Sequence, residues 1–189
     1  MKTFFLSLLL ILFVVASPAV AQKNIVAPTV TLPVDSITKL VTYEGVIDVK
    51  GVSAEELYRR MQLWFNTFYK NPGEVVREND SVKYKMMGKP RFRISNPPDK
   101  SGLKTDAGIV QYTIQVAAKE GRFRYEISEY NWKQLSYYPC ERWMDTKAQS
   151  WVPAYNEYMQ QLDKYTKDLI ADLQRILSQA KAVKDRDDW

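Results

Sequence analysis

The chain has 189 residues, of which 46% are hydrophobic and 13% aromatic, so it is long and apolar enough for one domain with a core. It contains no His and a single Cys, which excludes imidazole acid–base catalysis, Ser-His or Cys-His nucleophile pairs, and the common zinc sites. The formal net charge of +5 is modest for a nucleic-acid-binding protein.

Residues 1–21 have the pattern of a secretory signal peptide. Lys2 supplies the positive start, residues 4–16 form an apolar run interrupted only by Ser7, and Ala19-Val20-Ala21 is a small-residue cleavage motif. The run is shorter than the roughly 20 residues that span a bilayer. We therefore expect cleavage before Gln22, export to the periplasm or cell exterior, and no transmembrane segment in the mature chain.

The mature chain is predicted to have three parts. Residues 22–40 contain two prolines and no sustained hydrophobic period, which is typical of an extended leader. Residues 41–150 are expected to form a sheet domain, and residues 151–189 a long helix with a polar tail.

The first elements of the domain are a strand and a helix. Apolar residues alternate over 41–49, which predicts a strand. Ser53 and Glu56 have the spacing of a capping box, and the apolar residues of 57–68 follow at helical intervals. Asn71-Pro72-Gly73 is expected to end this helix.

The remaining strands are predicted between residues 75 and 127. Alternation indicates one hairpin over 75–86, which Phe92 and Ile94 extend, and a second over 110–127. The segment between them, 95–108, is rich in turn-forming residues and predicts a mobile loop.

A long amphipathic helix is predicted from Pro153 to about residue 183. Its apolar stripe is interrupted by Thr166. At 1.5 Å per residue such a helix spans about 46 Å, more than a sheet of this size covers. We expect it either to break or to project its end toward a partner.

The resulting order is strand, helix, four strands, long helix. Two amphipathic helices need one shared apolar surface, and the alternating strands offer one apolar face. This pattern predicts an α+β fold with two layers, an antiparallel sheet carrying both helices on one face.

The segment 131–151 is dense in aromatic residues and is the candidate binding region. Exposed rings could stack on sugars or fill a partner's pocket, whereas buried rings would close the end of the sheet and cap the long helix. The candidate residues are Trp132, Tyr137, Tyr138, Trp143 and Trp151.

Two further features admit more than one interpretation. The basic residues of 83–93 indicate either an anion site or, as we favour, a solvated strand face that protects a sheet edge. They are Lys83, Lys85, Lys89, Arg91 and Arg93. Cys140 has no partner for an intramolecular disulfide, so we expect it to pack as a small hydrophobic residue rather than to act as a reactive thiol.

No catalytic motif is present. The S-x-x-K pattern occurs three times, but the S-D-N and K-T-G elements that accompany it in serine-nucleophile enzymes are absent from the sequence. Gly88-Lys89-Pro90 cannot form a phosphate-binding loop. We expect no cofactor, no metal and no enzymatic activity, although a hydrolase that uses two carboxylates distant in sequence stays open.

Several segments resemble a family of exported Bacteroidetes proteins known as domain of unknown function 4468, with a TBP-like fold. They are YEGVI at 43–47, VSAEELY at 52–58, WF at 64–65, VQYTI at 110–114 and GRFRYEI at 121–127. The resemblance implies a curved antiparallel sheet with helices on one side. The family has no established activity to transfer, and its fold name does not imply DNA binding.

Two hypotheses follow. The first is a non-enzymatic exported domain that binds a protein or glycan but no nucleic acid, with the long helix available for self-association. The alternative is a carrier that holds a small apolar or amphiphilic ligand between sheet and helices. Its cavity would be lined by Trp64, Phe65, Phe68, Phe123 and Tyr125.

Overall fold

The structure, a computed structural model, describes residues 30–133 and 136–179. The predicted signal peptide, the first part of the leader and the polar tail from residue 180 lie outside these ranges.

The elements follow one another along the chain as β1 (Tyr43–Asp48), α1 (Ala54–Phe68), α2 (Pro72–Val75), β2 (Val76–Asp80), β3 (Lys85–Gly88), β4 (Arg91–Ser95), β5 (Asp106–Lys119), β6 (Arg122–Lys133), β7 (Tyr137–Pro139), a 3-10 helix (Cys140–Met144) and α3 (Ala154–Ser178).

Seven strands in the described ranges form one antiparallel sheet. The order is β1-β6-β5-β3-β2, with β4 also beside β5 and β7 also beside β6. The α+β prediction is confirmed, but six strands follow α1 instead of four. Pro90 has no N–H for a ladder, so the chain breaks there into β3 and β4, which both pair with β5. The aromatic segment adds β7.

The helix α1 begins as its sequence predicts. The Ser53 Oγ accepts a hydrogen bond from the Glu56 backbone N–H at 3.2 Å. The Glu56 carboxylate accepts from Arg59 and Arg60 instead of completing the box at the Ser53 amide. The apolar face of this helix is buried against the sheet through Leu57, Met61, Trp64 and Phe65.

The helix α3 packs within the domain instead of projecting from it. Its buried residues run from Tyr155 to Leu177, because it lies against α1, β4 and the 3-10 helix. At its far end Arg60 Nη1 donates to the Leu177 carbonyl oxygen at 2.9 Å. Thr166 belongs to the buried stripe, where its hydroxyl is hydrogen-bonded to Tyr130.

Among the helices described, none has the length and apolar character needed to cross a bilayer.

Candidate functional site

A concave site lies between α1 and the strand β2. Its volume is about 380 Å³, within the range typical of small-ligand sites. We call it the amide pocket, because three of its lining side chains are carboxamides. It is lined by Gln62, Asn66, Pro72, Gly73, Val76, Asn79 and Met86.

Local structure explains how these residues meet. Gln62 and Asn66 are four residues apart and therefore share a face of α1. The turn after α1 continues into α2, which brings Pro72 and Gly73 to the pocket. In the hairpin β2–β3, Asn79 is opposite Met86, whose side chain is 3% exposed.

The tyrosine hydroxyl of α1 orients the polar side of the amide pocket. The Tyr58 hydroxyl donates to Asn79 Oδ1, and the Gln62 side chain also hydrogen-bonds to this tyrosine. Burial, followed by the nearby Asp80 carboxylate, raises the pKa of Tyr58, so its hydroxyl stays a donor at neutral pH. With its oxygen engaged, the Asn79 carboxamide has its N–H donors left for a ligand.

Among the described residues that line the amide pocket, none is charged and none is aromatic. A charged ligand would lose its hydration there without gaining an ion pair. The site is therefore suited to an uncharged polar group with a small apolar part.

Four of the five predicted aromatic residues pack together at one end of the sheet. Trp143 is 0% exposed, and its ring centroid lies 5.8 Å from that of Trp132. Trp132 Nε1 donates to the Ala107 carbonyl oxygen at 2.8 Å. With Tyr138, Trp151 and the α3 residues Tyr155 and Tyr158, they form what we call the aromatic cluster. Full burial removes Trp143 from any contact surface, and the cluster joins the sheet to α3.

Tyr137 is the exception among the five. The strand alternation places it on the face opposite Tyr138, where it is 59% exposed and its hydroxyl lies 3.4 Å from Gln111 Oε1. Contact with a partner through this ring stays a prediction.

Each of the five basic residues of 83–93 lies beside a carboxylate. The N···O distances are Lys83–Asp80 3.8 Å, Lys85–Glu78 3.3 Å, Lys89–Glu129 3.4 Å, Arg91–Glu74 3.7 Å and Arg93–Asp106 2.9 Å. Compensated charge favours a solvated strand face over an anion site.

One feature of the sheet face without helices was not predicted. Glu129 has φ +55°, in the left-handed region, where the β5–β6 register shifts opposite Tyr112. Its carboxylate accepts from the Thr113 hydroxyl at 2.6 Å and from Lys89. The Thr113 hydrogen bond, with help from Lys89, lowers the pKa of Glu129, so this carboxylate is a weak base. The alternation of apolar and polar residues along a strand does not indicate where such a bulge occurs.

Two further reactive groups, the Cys140 thiol and the Tyr112 hydroxyl, are buried in the core. Burial raises the pKa of the Cys140 thiol, so its nucleophilic thiolate form is suppressed. Tyr112 links Tyr69 and Tyr165 through hydroxyl contacts of 3.3 and 3.1 Å in the core. In the portion of the chain that the structure covers, no group of three or more His, Cys, Asp or Glu side chains could hold a metal ion.

A family model matches much of the sheet domain. Residues 43–133 match the family model described as "Domain of unknown function (DUF4468) with TBP-like fold". No curated protein matches the chain.

Two solved structures share its fold. A DUF4468 family protein from Bacteroides ovatus is 16% identical, with a TM-score of 0.63, over 79% of this chain and 93% of its own. A TBP-like protein from Parabacteroides distasonis is 15% identical, with a TM-score of 0.58, over 75% of this chain and 95% of its own. The resemblance expected from the sequence is confirmed, and these structures support the fold alone.

Proposed function

We propose that this protein, whose residues 43–133 match the DUF4468 family model, is an exported, non-enzymatic domain that binds an uncharged polar ligand in the amide pocket. The observation that carries the proposal is the Tyr58 hydrogen bond to Asn79, which holds a carboxamide in place beside two others over the buried Met86. Pre-oriented groups of this kind lower the cost of binding.

The chemistry of the side chains supports binding without catalysis. General acid–base catalysis works best with a group whose pKa is near the working pH. The resolved shifts move groups away from neutrality: tyrosines such as Tyr112 and the thiol of Cys140 have raised pKa values, while that of Glu129 is lowered.

Export is supported by the sequence of residues 1–21 and by the cysteine content. Cys140 is the single cysteine of the chain and it is buried. An oxidising compartment therefore meets no surface thiol of this protein to oxidise or cross-link.

The amide pocket is a better candidate for the ligand than the core. Trp64 and Phe65 are fully buried and their ring centroids lie 5.1 Å apart. Phe123 is 1% exposed. Side chains of the protein itself therefore fill the region in which the carrier hypothesis places an apolar ligand.

The test is an NMR titration of ¹⁵N-labelled residues 22–189 with two matched probes. N-acetylglutamine methylamide is uncharged, and N-acetylglutamate methylamide has nearly the same shape with a negative charge. We expect the uncharged probe to shift the side-chain NH₂ signals of Gln62, Asn66 and Asn79. The signals of Gln111 and Asn131, on the other sheet face, serve as internal controls and stay in place.

A variant that narrows the pocket completes the test. Gly73 lines the pocket and a Cβ added there meets no atom within 4 Å, so we expect Gly73→Leu to add volume at the pocket. We expect it to abolish the shifts, while Ala171→Leu, which introduces a leucine on the exposed surface of α3, keeps them. Equal shifts with the anionic probe, or none in the three pocket signals, would disprove the proposal.

A further inference from the structure

We infer that the amide pocket and the outer edge of β2 form one site for an extended peptide. The peptide adds a strand beside β2 and inserts an uncharged carboxamide side chain into the pocket. This inference rests on the proposed function and goes beyond it by naming the ligand class and the backbone that binds it.

The first observation concerns the edge itself. β2 is the last strand in the sheet order, and in the described ranges only β3 pairs with it. An edge strand of this kind presents backbone N–H and C=O groups that a further strand can satisfy.

The edge at β4 has a different environment. The Gln161 side chain of α3 accepts from the Ser95 backbone N–H and donates to the Ser95 carbonyl oxygen, both at 2.9 Å. Gln161 therefore occupies the groups that another strand would use there. The Ser95 backbone groups at the β4 edge are covered in this way. On β2, the Val76 N–H donates to the Pro72 carbonyl oxygen and the Val76 carbonyl oxygen accepts from Arg77 Nη1 at 3.4 Å, so the part of this edge left for another strand in the described chain is 77–80.

The second observation is continuity between edge and pocket. Val76 and Asn79 belong both to β2 and to the lining of the amide pocket. A strand added beside β2 would run past the pocket, and its alternate side chains would point to the helix-covered side. In peptides bound by strand addition, main-chain hydrogen bonds supply affinity and such pockets supply specificity.

The third observation concerns the chemistry of the lining. Sugars and nucleobases are commonly held by stacking on an aromatic ring, and none lines this pocket. Carboxamides offer a donor and an acceptor to one another, and Val76 and Met86 provide apolar contact for methylene groups. A glutamine-like side chain on a peptide meets both requirements.

The experiment compares two blocked heptapeptides in the same NMR titration. Both consist of alternating Thr and Val around a central Gln, and one is N-methylated at alternate residues, which removes its strand-pairing donors. We expect the unmethylated peptide to shift the backbone amides of 77–80 together with the pocket side-chain signals. N-methylation should weaken binding at least about ten-fold, since several hydrogen bonds are lost. The Gly73→Leu variant should bind neither peptide.

The outcomes separate the two proposals. If both heptapeptides bind equally, or if only N-acetylglutamine methylamide binds, the strand-addition inference is wrong and the pocket function stands. If N-acetylglucosamine shifts the pocket signals more strongly than the unmethylated peptide, the ligand class is a sugar and the inference is also wrong. If no probe shifts the pocket signals, both proposals fail.

Discussion

At the scale of single residues, Gly45 shows a requirement that the chain alone does not reveal. It lies in β1 opposite Tyr125, and a Cβ placed there would be 2.7 Å from the Tyr125 hydroxyl oxygen. The missing side chain lets the tyrosine ring lie across the neighbouring strand. In the sequence, Gly45 is only a small residue within an alternating run.

We expect Gly45→Ala to lower the free energy of unfolding by about 1–3 kcal/mol, because the added methyl group forces the Tyr125 ring to move. Urea unfolding of residues 22–189 measures the change. Gly73→Ala is the matched control, because its Cβ meets open space and should leave stability unchanged or slightly higher. Equal losses in both variants would contradict the steric explanation.

Glu56 couples stability to acid pH. Its hydrogen bond from Arg59 above all, and then that from Arg60, lowers its pKa from 4.5 to about 2. Because the folded pKa is below the unfolded one, the stabilisation is complete above about pH 4.5 and disappears as the pH falls toward 2.

Glu56→Gln should therefore reduce stability at pH 6 and have a much smaller effect at pH 2. Urea midpoints recorded from pH 2 to 6 measure this difference. Glu55→Gln, at the exposed neighbouring position, controls for loss of a carboxylate in the first turn of α1. A stability difference between the wild type and Glu56→Gln that stays constant over this range would refute the assignment.

At the scale of elements, local pattern predicted α1 and the β5–β6 hairpin well, because each carries its own period and end signals. The division of the other strands was predicted less well. β4 and β7 are short, and they exist because β5 and β6 extend beyond β3 and β1 and offer free backbone groups there. That is a property of the neighbouring strands rather than of the short segments.

The edge of β4 supplies a prediction at this scale. Gln161→Ala removes two hydrogen bonds to Ser95, and we expect a loss of about 1–3 kcal/mol in the free energy of unfolding. The uncovered edge should also increase aggregation on heating, which light scattering detects. Lys164→Ala, at an exposed α3 position, is the control. Unchanged stability and scattering would show that this side chain does not protect the edge.

At the scale of the whole molecule, α3 is a component of the core and not an arm. Its apolar residues lie on α1, on the sheet and in the aromatic cluster. Self-association through this helix was predicted because the helix is longer than a sheet of this size covers, and it stays a prediction. From Tyr155 to Leu177 the apolar residues of α3 are buried in the same chain.

We therefore expect native mass spectrometry to show a monomer, and the proposed signal-peptide cleavage to leave Gln22 as its first residue. The same mass should be observed without reductant, because Cys140 is buried. A dimer whose cross-links map to α3 would contradict this expectation. A dimer that disappears on reduction would show that Cys140 becomes accessible.

The sequence alone determined the fold class, the family resemblance, the start of α1 at Ser53 and the absence of histidine chemistry. These depend on composition, or on signals within one turn or one strand. Only the tertiary structure decided that Trp143 is buried, that Glu129 adopts a left-handed backbone, and which surface offers a pocket. Burial and concavity arise where segments far apart in the chain meet. Gln62 and Asn79 line the same pocket only when α1 packs over the β2–β3 hairpin, so no local pattern in the sequence predicts the amide pocket.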